Sequence, residues 1–204
     1  MDEYHFNEPE PLINLIKALK RLPGIGIRSA RRIAYHLMQY DLDGAGFLSK
    51  SLSDAVASLR HCVSCNGFSE TELCFTCASD FRDKRLLCIV ENPSDQNSVE
   101  SSHGYKGLYY VLMGRVSPLD GVGPKELNFQ KIFDRVHAGN VEEVIIATGF
   151  TAEGETTAQF LIDMFSSANI KTSRLARGVP AGSELEYIDA GTIAWALIDR
   201  KIIN

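Results

Sequence analysis

Over residues 11–40 apolar side chains recur at helical spacing, with Leu12, Ile16 and Leu19 before a Pro23-Gly24 break and Ile27, Ala30, Ile33, Ala34 and Leu37 after it. This pattern predicts two helices joined by a tight turn. A third helix is predicted from about residue 48 to 61, with Leu52, Val56 and Leu59 as its buried stripe and Gly44 and Gly46 in the loop before it. Residues 62–80 then interrupt all periodicity. Past Arg85 the pattern becomes short continuous apolar runs, LLCIV at 86–90, LYYVLM at 108–113 and VEEVIIA at 141–147, which suit parallel strands buried on both faces. Residues 124–137, 155–168 and 190–200 are helical candidates between and after them. Strands alternating with helices imply a doubly wound α/β unit with a mainly parallel sheet. The predicted fold class is therefore α/β in several modules: a helical part at 1–61, a cysteine-bearing module at 62–80, an α/β domain at 81–176, and a helical C-terminal segment at 177–204 that we expect to make a subunit contact.

Composition adds compartment and charge. A chain of 204 residues with 45% hydrophobic and 23% charged positions can bury a sizeable core. No apolar run approaches the roughly 18 residues needed to cross a bilayer. The opening MDEYHFNEPEP carries acids and no base, the wrong charge for a leader, so the expected location is the cytoplasm. The net charge of -5 hides an uneven distribution: -4 over residues 1–11, +6 without any acid over residues 12–40, and -7 over the rest. Such a chain can contact phosphate locally while its bulk avoids indiscriminate adhesion.

In a reducing compartment cysteines favour metal or burial over disulfides. Cys62, Cys65, Cys74 and Cys77 follow the spacing C-x2-C-x8-C-x2-C, which suits two knuckles converging on one tetrahedral zinc ion. Four protein ligands leave no open position, so such a site is structural. A redox pair is the rival reading, but C-x-x-C redox motifs sit singly at a strand-to-helix junction. The intervening NGFSETEL has two acids and no base, which favours a rigid joint over a DNA-reading finger. His61 is adjacent and needs no ligand role; Cys88, inside LLCIV, is expected in the core.

The string LKRLPGIGIRSARRIA has the form of a helix-hairpin-helix. Gly24 and Gly26 permit the turn, and the backbone N–H groups that open the second helix can bind a phosphate without reading sequence. Arg28, Arg31 and Arg32 stand at i, i+3 and i+4 on that helix, and Lys17, Lys20 and Arg21 approach from the first. Arg28 and Arg32 are the leading candidate DNA contacts, with Lys17, Lys20, Arg21 and Arg31 behind them. Each neutralised phosphate shifts the salt slope by only about 0.7–0.9, so one hairpin binds weakly and useful affinity calls for several copies on one DNA.

The hairpin LPGIGIRSA, the four-cysteine module, Glu91 with Asp95 close behind it, YKGLYYVLMGRVSPLDGVGP at 105–124, IIATGFTAEGETTA at 145–158 and GVPAGSELEYIDAGT at 178–192 occur in the order seen in RecR recombination mediators. The chain resembles that family over nearly its whole length. The resemblance implies a Toprim-type α/β domain, a fold that topoisomerases and primases use for magnesium-assisted phosphoryl transfer through a Glu and a later D-x-D. Glu91 stands at the first position. GFTAEGE at 149–155 fits over a topoisomerase segment resembling DPDREGE, which sets Gly149 and Thr151 where the aspartates would be. Glu153 and Glu155 open a helix, where carboxylates stabilise the positive end. Asp41 and Asp43 spell D-x-D but follow no strand. The resemblance thus implies a protein that binds DNA without cutting it, forms a homo-oligomeric ring with a tetramer among the sizes allowed, and works with RecO and RecF to load recombinase on gapped or single-stranded DNA. Glu91 and Asp95 are the implied partner-facing residues. The alternative is a Toprim nuclease or primase-like enzyme using Glu91, Glu153 and Glu155 with magnesium. The 178–189 stretch lacks the Gly-Lys-Ser/Thr ending of a phosphate loop, and Gly178, Gly182 and Tyr187 are expected in loop and subunit contacts.

Overall fold

The computed structural model describes residues 8–166, 168 and 170–201. Most of the acidic opening stretch, Ser167 within the predicted helix 155–168, and the last three positions of the C-terminal segment lie outside the described residues. Two compact units divide after Leu59.

The first unit is helical: α1 (Glu10–Lys20), α2 (Ile27–Tyr40) and α3 (Leu42–Ser58). Pro11 falls in the first turn of α1, where its missing N–H costs nothing. Ile16 and Leu19 of α1 meet Ala30 and Ala34 of α2, whose small side chains let the two helices close over a compact core. The third helix departs from its prediction. Asp41 caps it by accepting a hydrogen bond from the Gly44 N–H (2.9 Å), so α3 starts earlier and both Gly44 and Gly46 lie inside it. Its expected buried stripe is also exposed: no residue of α3 is buried, and Val56 is 85% exposed. Periodicity reports that a helix face is apolar, not that its own chain covers it.

The second unit begins with the cysteine module, a two-stranded antiparallel ladder of β1 (Arg60–His61) and β2 (Phe68–Ser69) followed by the one-turn α4 (Phe75–Ala78). Then come β3 (Asp83–Val90), α5 (Pro93–Ser101), β4 (Gly107–Val111), α6 (Phe129–Ala138), β5 (Glu143–Ala147), α7 (Ala152–Ser166), β6 (Lys171–Arg174) and α8 (Ala190–Ile198). Strands β3 to β6 form a wholly parallel sheet in the order β4-β3-β5-β6. Alternation along β3 splits its side chains between two cores. Leu87 and Ile89 join Val144, Ile146, the α6 residues Ile132 and Val136 and the α7 residues Leu161 and Phe165. Cys88 and Val90 join Tyr109 and Val111, with Val99 of α5 packed alongside. Cys88 is thus a core residue, and burial pushes its thiol up to about 12.

The three predicted strands are present, while α5 and β6 were not foreseen. Both are polar: α5 reads PSDQNSVES and is held by an Asn92/Asp95 capping box, and β6 is the edge strand KTSR. Among the described residues no helix is long and apolar enough to cross a membrane.

Candidate nucleic-acid interface and metal centre

The turn between α1 and α2 depends on Gly24, whose φ of 78° lies in the left-handed region that favours glycine. The Ile25 N–H closes it on the Leu22 carbonyl (3.1 Å). Gly26, in extended conformation, caps α2 without a side chain, and the first turn of α2 holds no acid. The first intrahelical bond runs from the Ala30 N–H to the Gly26 carbonyl (2.9 Å), so the N–H groups of residues 27–29 point outward without a helical acceptor. Arg28 and Arg32 are exposed beside this opening, and among the described residues neither is engaged in an ion pair. Lys17, Lys20 and Arg21 are likewise exposed.

Arg31 is different from its two neighbours. Its Nε lies 3.1 Å from Oε1 of Glu8, just ahead of α1, and the Tyr35 hydroxyl donates to the same oxygen at 3.1 Å. That hydrogen bond raises the Tyr35 phenol above its ordinary pKa. The sequence offered Arg31 as a phosphate contact behind Arg28 and Arg32; the fold sets it against a carboxylate. Glu8 itself escaped the sequence reading, although the acidic stretch abutting a basic one was the available signal.

The four cysteine sulfurs lie within 4.8 Å of one another, and this is the one group of three or more His, Cys, Asp or Glu among the described residues placed to share an ion. A tetrahedral ion about 2.3 Å from each sulfur requires sulfurs about 3.8 Å apart; Cys65 and Cys74 are 3.5 Å apart. Backbone donors complete the environment of a thiolate set. The Gly67 N–H points to the Cys65 sulfur (3.4 Å) and the Cys74 N–H to the Cys62 sulfur (3.3 Å). Hydrogen bonding from Cys65, with help from Ser64, Cys74 and Arg135, holds the Cys77 thiol down to about 5. Cys65 is correspondingly raised, because it keeps the shared proton and is buried. Thiols this close resolve such competition when a cation replaces the protons. The donor set fits a metal ion with no position left over. His61 takes no part: its Nδ1 meets the Asn66 carbonyl at 2.9 Å.

The module is stitched to the sheet. The Val111 N–H donates to the Cys65 carbonyl (2.8 Å), the Asn66 side-chain amide donates to the Val111 carbonyl (2.8 Å), and Arg135 of α6 bridges the carbonyls of Ser64 (2.9 Å) and Tyr109 (2.7 Å). Because β4 is an outer strand, the module covers an edge that would otherwise present unpaired backbone groups.

At the carboxyl ends of β3 and β5, Glu91 accepts a hydrogen bond from the Gly149 N–H (2.8 Å) and is 7% exposed. Gly154 makes this approach possible, since a Cβ there would collide with the Gly149 carbonyl. Glu91 is therefore turned inward and is not the surface group expected of a partner contact; Asp95 is half-buried and serves the α5 cap by accepting from the Asn92 N–H (2.9 Å). Glu155 is occupied as well. Arg174 and Arg177 each donate to its carboxylate at 2.6 Å. The Arg177 guanidinium also stacks over Trp195 (4.0 Å to the ring centroid) and Phe150 (4.5 Å), tying the C-terminal segment to the sheet beside a cleft of about 480 Å³. Nothing in the sequence marked this clamp, whose members lie far apart in the chain.

A helix-hairpin-helix, a four-thiol module on a sheet edge and a parallel Toprim-like sheet with a tethered C-terminal helix define a modular class of Toprim protein. Family models match in the same order: residues 12–56 to the helix-hairpin-helix of RecR, residues 85–176 to the Toprim domain, and residues 178–201 to the C-terminal part of RecR. The chain belongs to the RecR family.

Proposed function

We propose that this chain is a recombination mediator that binds the DNA backbone without sequence preference, holds one structural zinc ion on Cys62, Cys65, Cys74 and Cys77, and does not cut DNA. The observation that carries the reading is the open first turn of α2: three outward backbone donors, no side-chain cap, no acid, and Arg28 and Arg32 free beside it. Lys17, Lys20, Arg21 and the Gly24–Gly26 turn extend the same contact. Functionally we keep four modules, at 1–61, 62–80, 81–176 and 177–204.

The absence of catalysis is supported by three features of the Toprim site. Gly149 and Thr151 stand where aspartates would hold metal, Glu91 is turned to a backbone N–H, and Glu155 is neutralised by two arginines. Family membership supports assembly with RecO and RecF on gapped or single-stranded DNA. Asp95 on α5 is a better candidate than Glu91 for a partner-facing acid, because it is half-buried where Glu91 is buried. Self-association into a ring is supported by the bare apolar face of α3 and by the weakness of a single hairpin.

Anisotropy titration of labelled single-stranded DNA tests the interface. Arg28→Ala combined with Arg32→Ala weakens binding by roughly 10-fold or more at low salt and lowers the salt slope by about 1.4, two phosphate contacts at the single-strand value. Zinc content and helicity stay unchanged. Unaltered binding would remove the hairpin from the interface.

A further inference from the structure

The acid that faces Arg31 stands at the junction of two oppositely charged stretches. Residues 1–11 carry four acids and no base, and residues 12–40 carry six bases and no acid. Within the first stretch, the Glu8 side chain is 9% exposed and engages α2 at two points, the Arg31 guanidinium at 3.1 Å and the Tyr35 hydroxyl at 3.1 Å. A DNA phosphate oxygen would accept from the same kinds of donor, a guanidinium and a neighbouring hydroxyl. Arg28, Arg31 and Tyr35 stand at i, i+3 and i+7 along one row of α2, and Arg32 lies on the next row, so the acid reaches the same helix surface that carries the phosphate contacts.

We propose that Glu8 is an intramolecular phosphate mimic. In the free chain it occupies Arg31 and Tyr35 and leaves the hairpin one positive charge short; a DNA phosphate displaces it. Glu8 thereby sets the affinity and salt dependence of the hairpin and restrains binding by a single copy. This rests on the DNA-binding reading above. It goes beyond that reading in assigning an inhibitory role to a residue outside the hairpin.

The partly exposed pair makes the competition mild, since an ion pair at such a surface is worth a factor of a few and displacement remains within reach. Gln at position 8 keeps both hydrogen-bond acceptors of its carbonyl oxygen but removes the charge. The test uses the zinc-loaded full-length chain with a labelled single-stranded oligonucleotide, titrated between low and moderate salt, and circular dichroism establishes that each variant is folded at the temperature used. Glu8→Gln is expected to bind roughly threefold to tenfold tighter at low salt, with a salt slope steeper by about 0.7, one further phosphate contact. Arg31→Ala alone is expected to weaken binding by less than Arg28→Ala or Arg32→Ala does, because the phosphate contact it removes must first displace Glu8. Arg31→Ala added to Glu8→Gln cancels the gain, and that dependence separates a phosphate mimic from a structural strap. Equal or weaker binding by Glu8→Gln, with Arg28→Ala/Arg32→Ala still weakening binding, overturns the mimic and leaves the DNA interface standing. If neither set of substitutions alters binding, the DNA interface falls and the mimic falls with it.

Discussion

Glu91 and Glu155 are carboxylates of the Toprim domain that hold different partners. Glu91 sits at the carboxyl end of β3 and accepts from the Gly149 N–H. Glu155 sits in the first turn of α7, where the helix dipole favours an acid, and is clamped by Arg174 and Arg177. A magnesium site needs several carboxylate oxygens free to converge on one ion, and these two groups are committed elsewhere. Incubation of the zinc-loaded protein with labelled DNA and Mg²⁺ or Mn²⁺ is therefore expected to leave the DNA intact for the parent and for Glu91→Gln alike. Metal-dependent cleavage that disappears in Glu91→Gln would reverse the reading of this site. Arg31 teaches the same lesson with the opposite sign. Its spacing from Arg28 and Arg32 was correct in the sequence, yet spacing along one helix could not reveal that Glu8 faces it across the fold.

At the level of elements, the cysteine module acts on the sheet as much as on itself. Two C-x2-C pairs were enough to mark four convergent thiols, because local spacing alone brings each pair together. That the Cys65 carbonyl and the Asn66 side chain bracket Val111 of β4 was invisible, since those residues are separated by about 45 positions. Structural zinc contributes on the order of 10–16 kcal/mol to the folding of small finger peptides, so removal of the zinc proposed for this site should release the module from the β4 edge. Chelation, or Cys62→Ser, is expected to speed hydrogen exchange at the Val111 amide by roughly tenfold to hundredfold, the change that losing one buried hydrogen bond of about 1–3 kcal/mol produces. The Leu112 amide, which donates to the Val90 carbonyl inside the sheet, should keep its protection, and aggregation through the bared edge should follow. Undiminished protection at Val111 after metal removal would show that the edge is held by other means.

For the whole molecule, the telling feature is α3, a 17-residue helix with no buried residue and with Leu48, Leu52 and Val56 all exposed. A face of that kind is far more costly in water than a scattered apolar residue, and contiguous exposed apolar surface marks an association site. A second copy of the chain is the occupant that the proposed self-association would place there. Leu52→Glu with Val56→Glu is expected to lower the solution mass measured by sedimentation and to reduce DNA affinity by roughly 10-fold or more through lost effective concentration. Both positions are exposed, so folding should change by only about 0.5 kcal/mol. An unchanged mass would direct the search for the subunit contact elsewhere, to the C-terminal segment first.

Much of this protein was legible along the chain because the signals were local. Helical periodicity marked α1 and α2, two glycines marked their turn, continuous apolar runs marked β3, β4 and β5, and cysteine spacing marked the thiol cluster. These features are fixed by residues a few positions apart, where backbone geometry leaves little choice. Polar elements such as α5 and β6 carried no such pattern and emerged only from capping and edge pairing. Tertiary structure alone decided which side chains would be free. It left Arg28 and Arg32 open while giving Arg31 to Glu8, turned Glu91 inward, and left the apolar face of α3 bare. Charge pairing and burial depend on what the folded chain brings across from distant positions, and no periodicity encodes that.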